Sequence, residues 1–412
     1  MKSLREIYKI GRGPSSSHTI GPERAMAIMK GLYAGADAVK VTLYGSLAAT
    51  GKGHGTDTVI EKTACPLKCE VVFDTVSPCP VHPNTMDIEM LKGGKRLAKK
   101  RIYSVGGGTV EFDGEKSELY EKYADDSIYP LNSFREISEY CAARNMRLYE
   151  YALECEGEEI TEYLREVWEQ MKRSISDGLS TGGTLPGSLG TQRRAQLLYG
   201  QKHMDESAQT RENRLVCSYA FAVSEQNAAG GIIVTAPTCG SCGVVPSVLK
   251  YMQDTRGFTD DEIVHALMTG GIVGDLIKKN ASISGAECGC QAEIGASCSM
   301  AAAALCELFE MGLKQIEYAA EVAMEHHLGL TCDPIDGLVQ IPCIERNAVA
   351  AMRAINATSL ANFLASSSKI SFDTVVETMY NTGRDMLNKY RETAAGGLAK
   401  YYSGSQKRTS EE

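Results

Sequence analysis

Six cysteines fall between positions 288 and 343: Cys288, Cys290, Cys298, Cys306, Cys332 and Cys343. Four of them stand beside Gly, Pro or Asp, in SGAECGCQ, TCDP and IPCIERN, outside any apolar stripe. A thiolate held on a loop suits a soft metal centre, whereas a packing cysteine needs only apolar neighbours. The same half adds Cys239 and Cys242 in PTCGSCGVVP. The pattern is that of a metal site, on loops whose backbone can wrap a cluster.

The rest of the composition narrows the class. A chain of 412 residues has room for two substantial cores. It is 43% apolar and 23% charged, so disorder is expected only at the ends. A net charge of −9, with no basic run beyond KRLAKKR near residue 100, argues against a nucleic-acid partner. No apolar stretch reaches about 18 residues, so nothing is expected to span a membrane. MKSLREIYKI lacks the hydrophobic core of a signal peptide. Fourteen cysteines without an export signal point to the reducing cytoplasm, where clustered thiols are more often ligands than disulfides.

Residues 22–33 have helical spacing, with Pro22 in the first turn. Val39, Val41 and Leu43 alternate with polar residues, as do Val71 and Phe73, which is the period of strands. Segments 86–91 and 102–112 flank Gly93-Gly94 and predict a hairpin. A polar, irregular stretch follows from Asp113 to about Asn132. Beyond it the pattern turns helical. Ser133 with Glu136 spells a capping box for a helix to about Asn145, and Thr161 is read as the cap of TEYLREVWEQMKRSI. Further helical windows cover 215–227, 244–253, 260–279, 299–311, 313–327, 345–365 and 374–390. The expected fold is an α+β N-terminal domain over 1–128, followed by a connecting helical segment over 129–160. A larger all-α domain over 161–400 and a flexible tail over 401–412 complete it.

Several polar constellations stand out. In GPSSSHTIGP, the hydroxyls of Ser15, Ser16, Ser17 and Thr19 surround His18 and lead into a helix. Free N–H groups, the positive dipole end and hydroxyl donors make an anion site that suits a carboxylate. The plainer reading is a hydrophilic capping loop. GKGHGTD lacks the Lys-Ser/Thr pair of a phosphate loop, but its glycines leave His54 open to a substrate, with Asp57 a candidate to orient it. His82, in PCPVHPNTM, lies between prolines that also suit a structural turn. Ser104 precedes Gly106-Gly107-Gly108, a run that permits close backbone approach to a ligand or marks a bulge at a strand end.

Among the thiols, Cys239-x-x-Cys242 reads as a redox pair, half a zinc site or a cluster ligand. Four-cysteine zinc is the second choice, because Cys288-x-Cys290 is too cramped for the usual second knuckle. Cys298 and Cys306 fall in a helical window and are read as packing residues. Cys332 and Cys343 sit on loops. Cys65, Cys69, Cys79, Cys141, Cys155 and Cys217 show no evident role. His326 and His327 close a helix and are read as structural, and His203 and His265 as surface or core residues.

Taken together, GPSSSHTIGPERA, YGSLAATGKGHGTD, TAPTCGSCGVVPSVL, NASISGAECGCQAEIGASCSMAAAAL, EHHLGLTCDP, IPCIERNAVA and ETMYNTGRDMLNKYRETAAGGLA resemble the bacterial iron–sulfur L-serine dehydratases (L-serine ammonia-lyases). The resemblance runs in order from residue 1 to about Ala399. It implies an α+β domain similar to the regulatory substrate-binding module of some phosphoglycerate dehydrogenases, then an all-helical domain, with the active site at their junction. The implied reaction removes water from L-serine to give aminoacrylate, which hydrolyses to pyruvate and ammonia. The implied cofactor is a 4Fe–4S cluster held by Cys290, Cys332 and Cys343, with one iron left open as a Lewis acid. His54 is the expected base for the α-proton. His18, Ser15, Ser16 and Ser17 would bind the carboxylate, and His82, Ser104 and Thr238 would line the site. No lysine is needed as an imine former, so pyridoxal phosphate is not expected; a homodimer is.

Three features depart from the family pattern. The tail YYSGSQKRTSEE has no cysteine where many relatives keep one, position 239 is cysteine where relatives often have asparagine, and the N-terminal domain is shorter than in larger members. Two alternatives accompany the reading. One is the same chemistry on L-threonine or L-cysteine, which a pocket separates by only about 1–3 kcal/mol. The other is a non-catalytic iron–sulfur redox or iron sensor, which has no use for two imidazoles and an anion loop.

Overall fold

A computed structural model describes residues 1–114, 127–201 and 204–402. Most of the expected irregular stretch, His203, and the expected flexible tail from 403 onward lie outside the described residues. Tyr401 and Tyr402, the first two residues of that tail, are helical.

The first residues of the chain pack into the helical body. Met1, Leu4, Ile7 and Tyr8 are buried in the main helical core, and the Tyr8 hydroxyl donates to Leu267 O at 2.9 Å. Strand β1 (Ile10–Arg12) then pairs antiparallel with β7 (Ile232–Val234), Ile10 opposite Val234. The apolar residues of this short segment have no period of their own, so their destination was not visible locally.

The sheet unit has five strands: β2 (Ala38–Tyr44), β3 (Lys68–Asp74), β4 (Thr85–Lys92), β5 (Lys95–Gly106) and β6 (Thr109–Phe112), ordered β3-β2-β4-β5-β6. Only β2 and β3 are parallel. Val39, Val41, Leu43, Met86, Ile88 and Met90 point to one face and pack under helices α1 (Gly21–Leu32), α2 (Gly45–Thr50) and α3 (Thr56–Ala64). The opposite face is charged. Arg101 Nε donates to Asp87 at 2.7 Å, and Lys99 bridges Asp87 and Glu89 at 3.3 and 3.1 Å. The basic run KRLAKKR is therefore a solvated sheet face with cross-strand ion pairs. The predicted hairpin turns at Gly93 and Gly94, both at positive φ. Its second arm starts at Lys95 rather than 102, and the Gly106–Gly108 run splits it into β5 and β6 with a register shift.

The helical body comprises α4 (Phe134–Arg144), α5 (Leu148–Glu156), α6 (Glu159–Ser180), α7 (Ala195–Gly200), α8 (Ala208–Ala228), α9 (Val244–Arg256), α10 (Asp260–Asn280), α11 (Gly285–Cys288), α12 (Ala296–Leu308), α13 (Leu313–Glu325), α14 (Cys343–Leu364) and α15 (Phe372–Asp385). The Ser133–Glu136 capping box of α4 forms as read. Thr161 does not cap α6: Gly157, at φ 75, ends α5, and the next helix begins two residues before Thr161. The 374–390 window is shorter in fact, because α15 stops at Asp385. Every residue of α12 is buried; small side chains let this helix run through the centre against α10 and α13. Among the described residues no helix is long and apolar enough to cross a membrane.

Candidate active site

The serine-rich segment is not a loose loop. Ser15 accepts from His18 N at 3.1 Å, and Ser16–Ile20 forms a π-helical turn that runs straight into α1. Ser15, Ser16, Ser17, His18 and Thr19 are all buried. Ser104 Oγ donates to Ser17 O at 2.8 Å and anchors the turn on the sheet. Gly21 makes room for that contact, since a Cβ there would lie 2.2 Å from Ser104 Oγ. The Gly106–Gly108 run is a bulge at the strand end, the plainer of its two readings.

The His18 and His54 rings pack against each other, tilted by 34°, with centroids 4.4 Å apart. The network assigns their tautomers. The His54 Nδ1–H donates to Thr50 O at 3.0 Å, so its lone pair is on Nε2, which is buried and has no hydrogen-bond partner. His18 Nε2 lies 3.1 Å from both Ser46 Oγ and Thr50 Oγ1. Those hydroxyls donate to Glu392 O and Ser46 O, so His18 Nε2–H is the donor and Nδ1 accepts from Ser17 Oγ at 2.9 Å. Burial pushes His54 down to about 4 and holds His18 below the ordinary imidazole range. Both rings are neutral at neutral pH. Asp57 does not orient His54; it sits in the first turn of α3 and accepts from Thr58 N. The carbonyl of Thr50 takes that role.

On the helical side, Cys290, Cys332 and Cys343 line one cavity with Pro14, Ser15, Gly240, Glu293 and Glu392. Ligand atoms of Cys290, Glu293 and Cys332 all lie within 4.8 Å of one another. Cys290 precedes a π-helical turn, Cys332 lies on a loop, and Cys343 opens α14, where the loop reading is corrected to a helix N-terminus. Arg346, one turn along, donates to Thr331 O at 2.7 Å and faces Asp333 at 3.3 Å. A hydrogen bond from Cys332, with Arg346 nearby, lowers the Cys290 thiol. The same bond raises Cys332, while burial raises Cys343. Thr238 Oγ1 donates to Glu293 Oε1 at 2.8 Å, and burial pushes that carboxyl up to about 7.

Glu392 joins the two halves. Its Oε1 lies 3.7 Å from His18 Nδ1 and 4.0 Å from His54 Nε2. Its N–H donates to Cys332 O at 2.9 Å, and burial raises its carboxyl. The sequence reading missed Glu392, Glu293, Arg346, Ser46 and Thr50. No periodicity marks Glu392, although the turn chemistry of TAAGG just after it hinted at irregular backbone.

The remaining candidates separate. His82 lines a different cleft with Cys79, Glu287, Cys288, Arg384 and Arg391; its Nδ1 accepts from Asn84 N, and Nε2 lies 3.4 Å from Glu287. Cys239 and Cys242 are buried with Ile175, Tyr219, Val223 and Ile233, so they pack and do not reach the thiol cavity. Cys288 packs against Gly383 of α15. Cys298 and Cys306 lie inside α12 as read. His326 and His327 each donate Nδ1–H to the carbonyl four residues back, at 2.9 and 2.7 Å, and His265 stacks on Tyr149.

Three thiols and two carboxylates around one buried cavity, with a guanidinium alongside, make a donor set that fits a soft, multi-thiolate metal centre. Comparison with known proteins agrees. The family model described as Serine dehydratase alpha chain matches residues 85–399, and that described as Serine dehydratase beta chain matches residues 3–63. L-serine dehydratase 1 of Escherichia coli (strain K12) is 40% identical over 97% of this chain and 99% of its own. The L-serine dehydratases of Haemophilus influenzae and Streptomyces coelicolor are 39% and 38% identical, over 97% and 96% of this chain and 99% and 98% of theirs.

Proposed function

Because the chain belongs to the serine dehydratase family, we propose how its own side chains carry the family's reaction. It is a hydro-lyase that converts L-serine to pyruvate and ammonia. We assign Cys290, Cys332 and Cys343 as the ligands of a 4Fe–4S cluster with one iron free of protein. When bound, that cluster supplies Lewis acidity toward the departing hydroxyl. The observation that carries the reading is the shared cavity: three thiols from separate segments open onto Glu392, which faces the His18–His54 pair.

His54 Nε2 takes the α-proton. Its ring is held by Thr50 O, its lone pair is unpartnered, and burial keeps it neutral and ready to accept. Ser15, which lines the cavity, donates to the substrate carboxylate, backed by Ser16, Ser17 and His18. Ser104 and Thr238 hold the turn and Glu293 in place, and His82 acts from the neighbouring cleft through Glu287. Gly53 lets the base-bearing loop approach the thiol-bearing one closely. A Cβ at that position would lie 3.1 Å from the carbonyl oxygens of both Asp336 and Gly337. Loss of the α-proton and of the β-hydroxyl, together one water, leaves aminoacrylate, which hydrolyses to pyruvate and ammonia.

The same reading divides the chain into an α+β unit over 1–128 carrying the base, connecting helices over 129–160, and a helical unit over 161–400 carrying the thiols. It sets the enzyme in the cytoplasm, where its fourteen thiols stay reduced, and as a homodimer. Anaerobically purified protein is expected to be brown and to form pyruvate from L-serine, with air bleaching colour and activity together. A colourless, zinc-loaded protein of full activity sinks the cluster assignment.

A further inference from the structure

L-serine brings three polar groups to the site, and the ligand roles above account for only two of them. Its α-ammonium carries a full positive charge, and burying that charge without a partner is costly. Among the described residues Glu392 is the carboxylate that lines the thiol cavity and also faces the base. Among the described residues no lysine or arginine pairs with it; its charged-group contacts are the two histidines at 3.7 and 4.0 Å. Both distances exceed a hydrogen bond. By the tautomers assigned above, both facing nitrogens carry lone pairs, so neither donates to the carboxylate. A Glu392 carboxyl oxygen and the unpartnered Nε2 of His54 thus face each other 4.0 Å apart with no hydrogen bond between them.

The backbone is also held against its preference. Glu392 has φ 52, a left-handed conformation that costs a side-chain-bearing residue free energy. Two anchors keep it there: its N–H donates to Cys332 O, and its carbonyl accepts from Ser46 Oγ at 3.0 Å. The first ties it to a thiol segment and the second to the helix below His18. Strain maintained by contacts to both halves of the site marks a side chain whose direction matters.

We propose that Glu392 binds the α-ammonium of the substrate. This rests on the lyase reading above and completes it. With the carboxylate at the Ser15–Ser17 turn and the hydroxyl toward the thiols, the ammonium at Glu392 gives a three-point grip. Three fixed points distinguish mirror images, so the arrangement selects the L enantiomer and turns the α-hydrogen toward His54 Nε2. A metal ion held by His18, His54 and Glu392 is the competing occupant, since their ligand atoms lie within 4.8 Å of one another.

The test uses anaerobic holoenzyme and 3-hydroxypropanoate, which is serine without its amino group, as a competitive inhibitor. Wild type is expected to bind this probe about 10²-fold more weakly than L-serine, the scale of a buried charge pair lost. Glu392→Gln is expected to raise KM for L-serine by a similar factor, leave the inhibition constant of the probe unchanged, and narrow the L- over D-serine preference. Glu392→Asp retains most of the discrimination. The proposal is overturned if Glu392→Gln keeps the wild-type preference, if wild type binds the probe as tightly as L-serine, or if a non-iron metal is present and lost with Glu392→Gln. The wild-type comparison stands even if the variant does not fold. Failure of the lyase reading is distinct: wild type would then make no pyruvate from L-serine, whatever its affinity for the probe.

Discussion

His54 shows how little a residue's identity says about its role until its partners are known. A histidine among glycines is as consistent with a surface loop as with a base. What suits it to the proposed role of base is the Thr50 carbonyl that takes Nδ1–H and leaves Nε2 bare inside the protein. His326 and His327 also give Nδ1–H to a carbonyl, yet they sit at the end of α13, outside the thiol cavity. Replacing His54 by Ala is expected to lower turnover by about 10²–10⁴-fold. The iron content of the variant should match wild type, because His54 is not among the residues that line the thiol cavity; loss of iron along with activity would assign the residue a structural role. The cysteines carry the same lesson. Cys290 and Cys332 are read from their Gly, Asp and Pro neighbours, whereas the C-x-x-C pair looked like a ligand motif and is packing against Tyr219 and Val223. A motif records spacing; whether a thiol meets apolar carbon or an open cavity depends on the segments that arrive from elsewhere.

Among the elements, those with strong local signals were legible. β2 alternates cleanly, and α4 and α10 begin at full capping boxes, Ser133 with Glu136 and Thr259 with Glu262. Ser133→Ala removes the acceptor of Glu136 N and is expected to destabilise the protein by about 1 kcal/mol, read as a lower midpoint of urea unfolding with cofactor content unchanged. No change in midpoint would mean that tertiary packing alone holds the start of α4. Helices α2 and α3 were not foreseen, being short and separated by the glycines around His54. They form because β2 delivers them onto the sheet, where Leu47, Val59 and Ile60 are buried. The N-terminal strand β1 was invisible for a related reason: three residues have no period, and its partner is more than 200 residues away in β7.

For the whole molecule, the seam between the sheet unit and the helical body is the functional structure. Glu6 holds it together. Its carboxylate lies 2.6 Å from Lys9 Nζ, 3.2 Å from Arg24 and 3.8 Å from Lys278, and accepts from Thr109 Oγ1 at 2.8 Å. These partners come from the first segment, α1, α10 and β6. Burial works against the charged carboxyl, but the surrounding cations outweigh it and hold its pKa far below the usual range. Glu6→Ala leaves Lys9 buried without its counter-ion and removes one of the two carboxylates that act on Lys278, and is expected to cost about 3–5 kcal/mol. Thermal unfolding would show it as a large drop in midpoint, together with faster proteolysis between the two units. A midpoint equal to wild type would show that apolar contacts alone close the seam.

The chain's order of residues by itself determined the two fold classes, the capped helices, the alternating strands and the presence of a loop-borne thiol chemistry, because each depends on neighbours within a few positions. Only the tertiary structure decided which thiols share a cavity, which nitrogen of His54 is free, and that Glu392 stands between them. Those are properties of distance between segments far apart in the chain, and burial at the seam, not local spacing, gives them their chemistry.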